Sequence, residues 1–215
     1  MTGQNSFIVF TAALPLLNTS LVKQLVKAIS PGLAMLAGHE SLHLLVEHAI
    51  NTDHEVLVLL ANQLDAEHLL FLPEQSALVV HLISTGNVRV CGLVLHQLSG
   101  RLPTILTNNR GRDLVRAFIW SATDLQVELV MEELCDEQED RVPLIVDLAV
   151  ECGDQDEFPE AVVRKARMEV LERMLDIFKQ FRETMIASDS GRRWICSISK
   201  KVNTDKEWKR NEKDL

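Results

Sequence analysis

Residues 87–119 read NVRVCGLVLHQLSGRLPTILTNNRGRDLVRAFI, and the pattern in this stretch recurs along most of the chain. The first part carries apolar residues at helical spacing, such as Val94 and Leu98, and a Ser-Gly-Arg-Leu-Pro linker then interrupts it. A second apolar-periodic segment follows Gly111 and contains Leu114. The stretch therefore predicts two short helices joined by a linker.

Both halves of this stretch return at a nearly constant interval. Four aliphatic i,i+4 pairs mark the first helix, and their first members lie 35, 34 and 36 residues apart. Four adjacent aliphatic pairs mark the second helix, at intervals of 35, 35 and 31. In chain order the two sets are Leu25/Ile29, Leu60/Leu64, Val94/Leu98 and Val130/Leu134, then Leu44-Leu45, Val79-Val80, Leu114-Val115 and Ile145-Val146. Because such a period is typical of stacked two-helix units, we predict an all-α fold, an α-solenoid of about four to five repeats.

The composition favours a helical protein of the cell interior. Of the 215 residues 47% are apolar, enough to bury a core, and a chain with six Pro, nine Gly and no Tyr does not suggest an all-β design. The four Cys lack CxxC spacing, which indicates reduced thiols. The apolar run from Phe7 to Leu17 has no basic residue before it, unlike a signal peptide. We expect a cytoplasmic or nuclear location, no membrane partner and no cofactor.

Charge is unevenly distributed and helps to divide the chain. Fourteen acidic residues and a single basic one, Arg141, lie between Asp124 and Glu160, whereas the segment from Arg192 onward holds eight basic and four acidic residues. The predicted divisions are a partial N-terminal repeat or cap at 1–18, four repeats at 19–150, an acidic loop at 151–160, a long helix (Val162 to Phe181) plus a C-terminal capping repeat at 161–202, and a frayed charged tail at 203–215.

The helix–linker–Gly–helix order resembles the Pumilio-type (PUF) RNA-binding repeat, whose units have about this length. The clearest copies are the stretch quoted above, HEVLVLLANQLDAEHLLFLPEQSALVVHLI at 54–83 and SLVKQLVKAISPGLAMLAGHESLHLLVEHAI at 20–50. The resemblance covers residues 20–150 in four units, with SGRRWICSI at 190–198 as a possible fifth. It implies a non-enzymatic RNA-binding helical-repeat protein that acts in post-transcriptional regulation or RNA processing.

In that family, three side chains shortly after the Gly of each unit contact single-stranded RNA, two at a base edge and one by stacking. The corresponding residues here are Leu42, His43 and Val46; Ala77, Leu78 and His81; Arg112, Asp113 and Arg116; Pro143, Leu144 and Asp147; and Arg192, Arg193 and Cys196. No unit keeps the family's small polar residue with a Gln or Glu, so the resemblance implies weak sequence readout. The predicted RNA-binding residues are Arg112, Asp113, Arg116, Arg192, Arg193, His43 and His81.

Two other functions remain open. The segment His39-Glu40-Ser41-Leu42-His43 matches HExxH, the pattern of zinc metallohydrolases. On a helix, His39 and His43 would bind Zn²⁺ with Glu40 as the base, and the third ligand would be Glu67 or, alternatively, His68 or Glu55. The metzincin continuation is absent, since Val46 and Ala49 replace its Gly and third His.

The other alternative, which ranks ahead of the zinc metallohydrolase, is a protein-binding α-solenoid scaffold that uses the acidic stretch at 124–160 to engage a basic partner.

Overall fold

The computed structural model describes residues 9–10, 12–36, 38–65, 76–107, 109–135, 143–151 and 157–213, with the side chains of 34–35 and 207–213 excepted. These ranges contain helices and no strand, which confirms the prediction of an all-α fold. The α-helices are α1 Thr19–Ile29, α2 Leu33–Leu36, α3 Glu40–Thr52, α4 His54–Gln63, α5 Ser76–Ser84, α6 Val88–Leu98, α7 Leu102–Ile105, α8 Asn109–Ser121, α9 Asp124–Leu134, α10 Leu144–Glu151, α11 Phe158–Lys165, α12 Met168–Gln180, α13 Arg182–Ala187 and α14 Asp189–Lys213.

Side-chain N-caps fix the starts of the helices that carry the first set of aliphatic pairs. Asn18 accepts a hydrogen bond from the backbone N–H of Leu21 (3.0 Å) at the start of α1. Asp53 and Asn87 cap α4 and α6 in the same manner, and Thr123 begins α9 with a capping box. Because a capping oxygen satisfies an N–H that has no partner within the helix, the cap residue sets where each helix begins.

The chain divides into two compact units, Met1–Ser99 and Gly100–Leu215. The boundary falls inside the segment 19–150 that was predicted as one series of repeats. Gly100 has a φ of 78°, a left-handed conformation that favours glycine over other residues. The Ser-Gly linker of the quoted stretch is therefore also the point where the two units meet in sequence.

In the N-terminal unit, helices of the same set pack on one another. Helix α4 packs against both α1 and α6, while α3 packs against α5, and α3 and α5 also contact α4 and α6 respectively. The shared core includes Leu45, Leu60 and Val79, all almost fully buried. In α1 the buried residues are Val22 and Val26, and the predicted pair Leu25/Ile29 is only half-buried.

The core of the C-terminal unit is centred on Trp194. This side chain of α14 is fully buried, and its ring meets Phe158 and Phe178 edge-on, with centroids 5.6 and 5.9 Å away. Edge-to-face aromatic contacts at such distances are favourable in addition to the area they bury. Helix α14 packs against four helices of this unit, α10, α11, α12 and α13.

The long helix predicted from Val162 to Phe181 is two helices, α11 and α12. The backbone is extended at Ala166 (ψ 146°) and Arg167 (ψ 160°), so the helix is interrupted there. Both flanking cations have distant partners: Lys165 donates to backbone carbonyls at the end of α8, and Arg167 pairs with Glu128 of α9 (2.7 Å). Tertiary contacts of this kind override a continuous helical pattern.

The acidic loop and the charged tail also differ from their predictions. Of the predicted acidic loop, residue 151 belongs to α10, and α11 begins at Phe158 with Pro159 in its first turn. The intervening residues 152–156 lie outside the described residues. Helix α14 continues to Lys213, where a frayed tail was predicted from residue 203 onward. None of the helices within the described ranges is long and apolar enough to cross a membrane.

Candidate functional site

The three predicted contacts of the third unit lie together on α8. Arg112, Asp113 and Arg116 line a pocket of about 320 Å³ with residues of α10. We call this site the arginine pocket; its lining residues are Asn109, Arg112, Asp113, Arg116, Leu148 and Glu151. A volume of about 300 Å³ lies at the lower end of the range for small-ligand sites.

Carboxylates occupy part of the arginine pocket. Arg112 pairs with Glu151, the last residue of α10, and its Nη1 also donates to Asn109 Oδ1 (3.3 Å). Arg116 meets Asp113 one turn earlier at 3.5 Å, a longer contact than a good charge-assisted hydrogen bond. The two guanidinium groups are thus balanced by two carboxylates in this unliganded arrangement.

The guanidinium of Arg116 is incompletely satisfied. Its Nε is buried, and it has no hydrogen-bond partner among the residues that the structure describes. A buried N–H without an acceptor costs about 1–3 kcal/mol, more for a charged group.

The fifth-unit candidates are arranged differently. Arg192 donates from Nη1 to the carbonyl of Ile186 and pairs through Nη2 with Asp189, the first residue of α14. Both of its partners therefore lie at, or just before, the start of its own helix. Arg193 is exposed on α14. Neither arginine lines the arginine pocket.

The two predicted histidines meet in the N-terminal unit. His43 of α3 and His81 of α5 stack with ring centroids 5.4 Å apart and planes inclined by 11°. Their Nδ1 atoms are 3.1 Å apart, and His81 Nε2 lies 2.8 Å from Glu47 Oε1. The Nδ1 edges of the two rings therefore face each other.

Hydrogen bonding assigns the tautomers of this pair. If His81 donates its Nε2–H to Glu47, its neutral ring must accept at Nδ1, so the Nδ1–H of His43 is the donor between the rings. Burial, together with the neighbouring His81, lowers the pKa of His43 below its usual value, against a smaller opposing effect of Glu40. Burial thus favours the neutral form of His43 over the protonated form.

Most of the other predicted positions in the first two units cannot reach a ligand. Leu42, Val46 and Leu78 are buried in the core, whereas Ala77 is exposed. The fourth unit offers the exposed side chain of Asp147. The aligned positions therefore do not form a continuous polar row for reading bases.

The HExxH residues are divided between a cap and a helix. His39 is the N-cap of α3, and its Nδ1 accepts a hydrogen bond from Ser41 N (3.1 Å). His43 faces His81, and the described ranges contain no group of three His, Cys, Asp or Glu side chains that could hold a metal. The proposed third ligand, Glu67, lies outside the described residues.

Three site residues escaped sequence reasoning. Glu47 and Glu151 were not singled out, although each carboxylate pairs with a predicted contact residue. Glu47 lies four residues after His43, so i,i+4 spacing signals that the two share a helix face. Glu151 and the carbonyl-binding Lys165 gave no local signal, because their partners are about 40 residues away.

We compared the chain with protein-family models, with curated proteins and with solved structures, and none of the three comparisons gave a match. The resemblance to Pumilio-type repeats therefore rests on the residues quoted above.

Proposed function

We propose that this chain is a non-enzymatic α-solenoid protein that binds single-stranded RNA through the helices of its second set, in post-transcriptional regulation or RNA processing. The observation that carries the proposal is the arginine pocket. Two guanidinium groups, Arg112 and Arg116, lie on one face of α8 at the positions where the family resemblance expects RNA contacts. Arginine is well suited to phosphate and to stacking on bases.

The regular spacing of the helices supports the repeat architecture. The helices of the first set begin at residues 19, 54, 88 and 124, at intervals of 35, 34 and 36. The helices of the second set begin at 40, 76, 109 and 144, at intervals of 36, 33 and 35. Such regularity is expected of repeated two-helix units.

Two glycines support a fifth unit. Gly111 and Gly191 are each the third residue of their helix, α8 and α14. A Cβ at Gly111 would lie 2.0 Å from the carbonyl oxygen of Ile105, and one at Gly191 would lie 2.2 Å from that of Met185. In both cases the carbonyl belongs to the residue six positions earlier. The segment SGRRWICSI at 190–198 and the third unit therefore share the same close contact between a helix glycine and the preceding short helix.

Weak sequence readout follows from the side chains available. Arg112 and Arg116 can bind phosphates and stack, but the buried Leu42 and Leu78 cannot donate to or accept from a base edge. Phosphate contacts hold the nucleic acid and carry no sequence information directly. We therefore expect binding that tolerates many RNA sequences.

Charge reversal in the arginine pocket tests the proposal. The double variant Arg112→Glu/Arg116→Glu should weaken the binding of all single-stranded RNAs alike in filter-binding assays at low salt. A matched control is Arg164→Glu/Lys179→Glu, which makes the same charge change at exposed positions of α11 and α12. Equal losses in both variants would mean that net charge, and not the arginine pocket, determines the affinity.

A protein-binding scaffold is the second candidate, and two exposed leucines favour it. Leu125 and Leu129 of α9 are 57% and 48% exposed and share a helix face in the acidic stretch. However, Glu128 and Glu133 of the same helix bind Arg167 and the backbone N–H of Leu102. Part of the predicted acidic surface is thus used inside the unit. This scaffold would bind no RNA even at low salt.

The zinc metallohydrolase is a third and weaker candidate. It requires His39 and His43 as ligands, yet each already makes a hydrogen bond to its own surroundings. The metal content of the purified protein tests it. About one zinc per chain, lost in His43→Ala, would favour the hydrolase over RNA binding.

A further inference from the structure

The arginine pocket has a displaceable carboxylate at its edge. Glu151 pairs with Arg112 yet remains 42% exposed, so it can move into water without leaving an unsatisfied buried charge. The position of Glu151 is therefore weakly held.

The opposite wall favours an anion. Asn109 of α8 also lines the arginine pocket with its two arginines. Arg116 has the buried Nε without a partner, and its contact with Asp113 is long at 3.5 Å. Two guanidinium groups thus line a pocket in which Glu151 is exposed and Asp113 makes only a long contact.

We propose that the arginine pocket is a binding site for a single phosphate group, and that Glu151 occupies the phosphate position on Arg112 until the ligand displaces it. The phosphate is held by the guanidinium groups of Arg112 and Arg116, both of which line the arginine pocket. This inference rests on the proposed function, in which an RNA phosphodiester supplies the phosphate. A free phosphate ion has the same chemistry.

Removing the competing carboxylate tests this directly. In Glu151→Gln the side chain keeps its shape and loses its charge, so both ligands should bind about fivefold more tightly, as expected when an exposed ion pair no longer competes. Glu132→Gln is the matched control, because it makes the same charge change at an exposed position of α9. We expect that control to alter the affinities much less.

The probes are inorganic phosphate and a single-stranded ten-nucleotide RNA, each titrated into the ¹⁵N-labelled full chain. The Nε–Hε resonance of Arg116 should shift on addition of either ligand, and earlier in the titration for Glu151→Gln than for the wild type. Thermal melting of each variant verifies that it is folded.

The outcomes separate the two claims. RNA binding by the wild type with equal affinities in Glu151→Gln and Glu132→Gln would overturn the role of Glu151 and leave the RNA proposal intact. Tighter binding of inorganic phosphate to Glu151→Gln, with no RNA bound by any variant, would support the phosphate site and overturn the RNA proposal. No response of Arg116 to either ligand would overturn the site itself.

Discussion

At the residue scale, Gly111 and Gly191 are defined by what surrounds them. Each lies against a backbone carbonyl of the preceding short helix, at distances from a built Cβ of 2.0 and 2.2 Å. A backbone group cannot move aside as the end of a flexible side chain can. Since the requirement is steric, these positions can hold only glycine without a shift of the adjoining helix.

We predict that Gly111→Ala and Gly191→Ala each lower the free energy of unfolding by about 1–3 kcal/mol, as overpacking does. Gly32→Ala is the control, since a Cβ there meets nothing within 4 Å and its effect should be small or slightly stabilising. Urea denaturation of the three variants measures this. Equal stabilities of all three would contradict the close packing at the two helix starts.

His43 links stability to pH. Because burial lowers its pKa below the ordinary value of 6.5, the unfolded chain binds this proton at a higher pH than the folded chain does. Above about pH 6.5, His43 is neutral in both states and does not reduce the free energy of unfolding. As the pH falls through that value towards the folded pKa, the unfolded chain takes up the proton first, and the free energy of unfolding decreases.

We predict that the free energy of unfolding falls between pH 7.5 and pH 5.5 by more in the wild type than in His43→Gln. Denaturant titrations of both proteins at the two pH values provide the comparison, and the difference reports on His43 together with its hydrogen-bonded partner His81. Identical pH dependence in the two proteins would show that His43 titrates alike in the folded and unfolded chains.

At the element scale, Lys165 ties the end of α11 to the end of α8. Its Nζ donates to the carbonyl oxygens of Ile119 (2.6 Å), Trp120 (3.3 Å) and Ala122 (2.9 Å). The last carbonyls of a helix lack partners within it, and a cation there also complements the helix dipole. The ammonium group thus satisfies several acceptors at once.

We predict that Lys165→Met lowers the free energy of unfolding by about 1.5–3 kcal/mol, the range for hydrogen bonds to a charged group. Lys179→Met is the matched control. Its ammonium makes an exposed i,i+3 pair with Asp176, and its loss should cost less than about 1 kcal/mol. Similar losses in both variants would mean that the three carbonyl contacts contribute little.

The same helices show how far sequence reasoning extends. The all-α fold could be predicted because apolar spacing and cap residues such as Asn18 and Asp53 are local signals. The interruption of the helix at Ala166 could not be predicted from the sequence. It accompanies contacts of Lys165 and Arg167 with residues about 40 positions earlier in the chain. Periodicity detects which face is apolar, but not which distant groups require a partner.

The candidate site was predicted in part for the same reason. The register placed Arg112 and Arg116 on one helix face, and the structure brings them into a common pocket. It also predicted His43 and His81 as separate contacts, whereas the two rings stack on each other. The pairing partners Glu47 and Glu151 belong to tertiary structure, which spacing alone does not reveal.

At the scale of the whole molecule, the formal net charge of −9 opposes the proposed binding of RNA, which is itself negatively charged. Long-range attraction is unfavourable for such a chain, so binding depends on a few cations held close to phosphates. Internal ion pairs such as Glu128–Arg167 use some of the acidic groups within the C-terminal unit. We therefore propose that the affinity depends on Arg112 and Arg116 of the arginine pocket rather than on net charge.

The salt dependence of RNA affinity tests the central claim most directly. For wild-type protein and several unrelated single-stranded RNAs, the logarithm of the association constant should fall linearly with the logarithm of salt concentration, by about 0.7 for each phosphate neutralised. Arg112→Glu/Arg116→Glu should flatten this slope by about 0.7, the contribution of the one phosphate that the two arginines hold together. No RNA binding by the wild type at low salt, or a strong preference for one short sequence, would contradict phosphate-based binding through the arginine pocket.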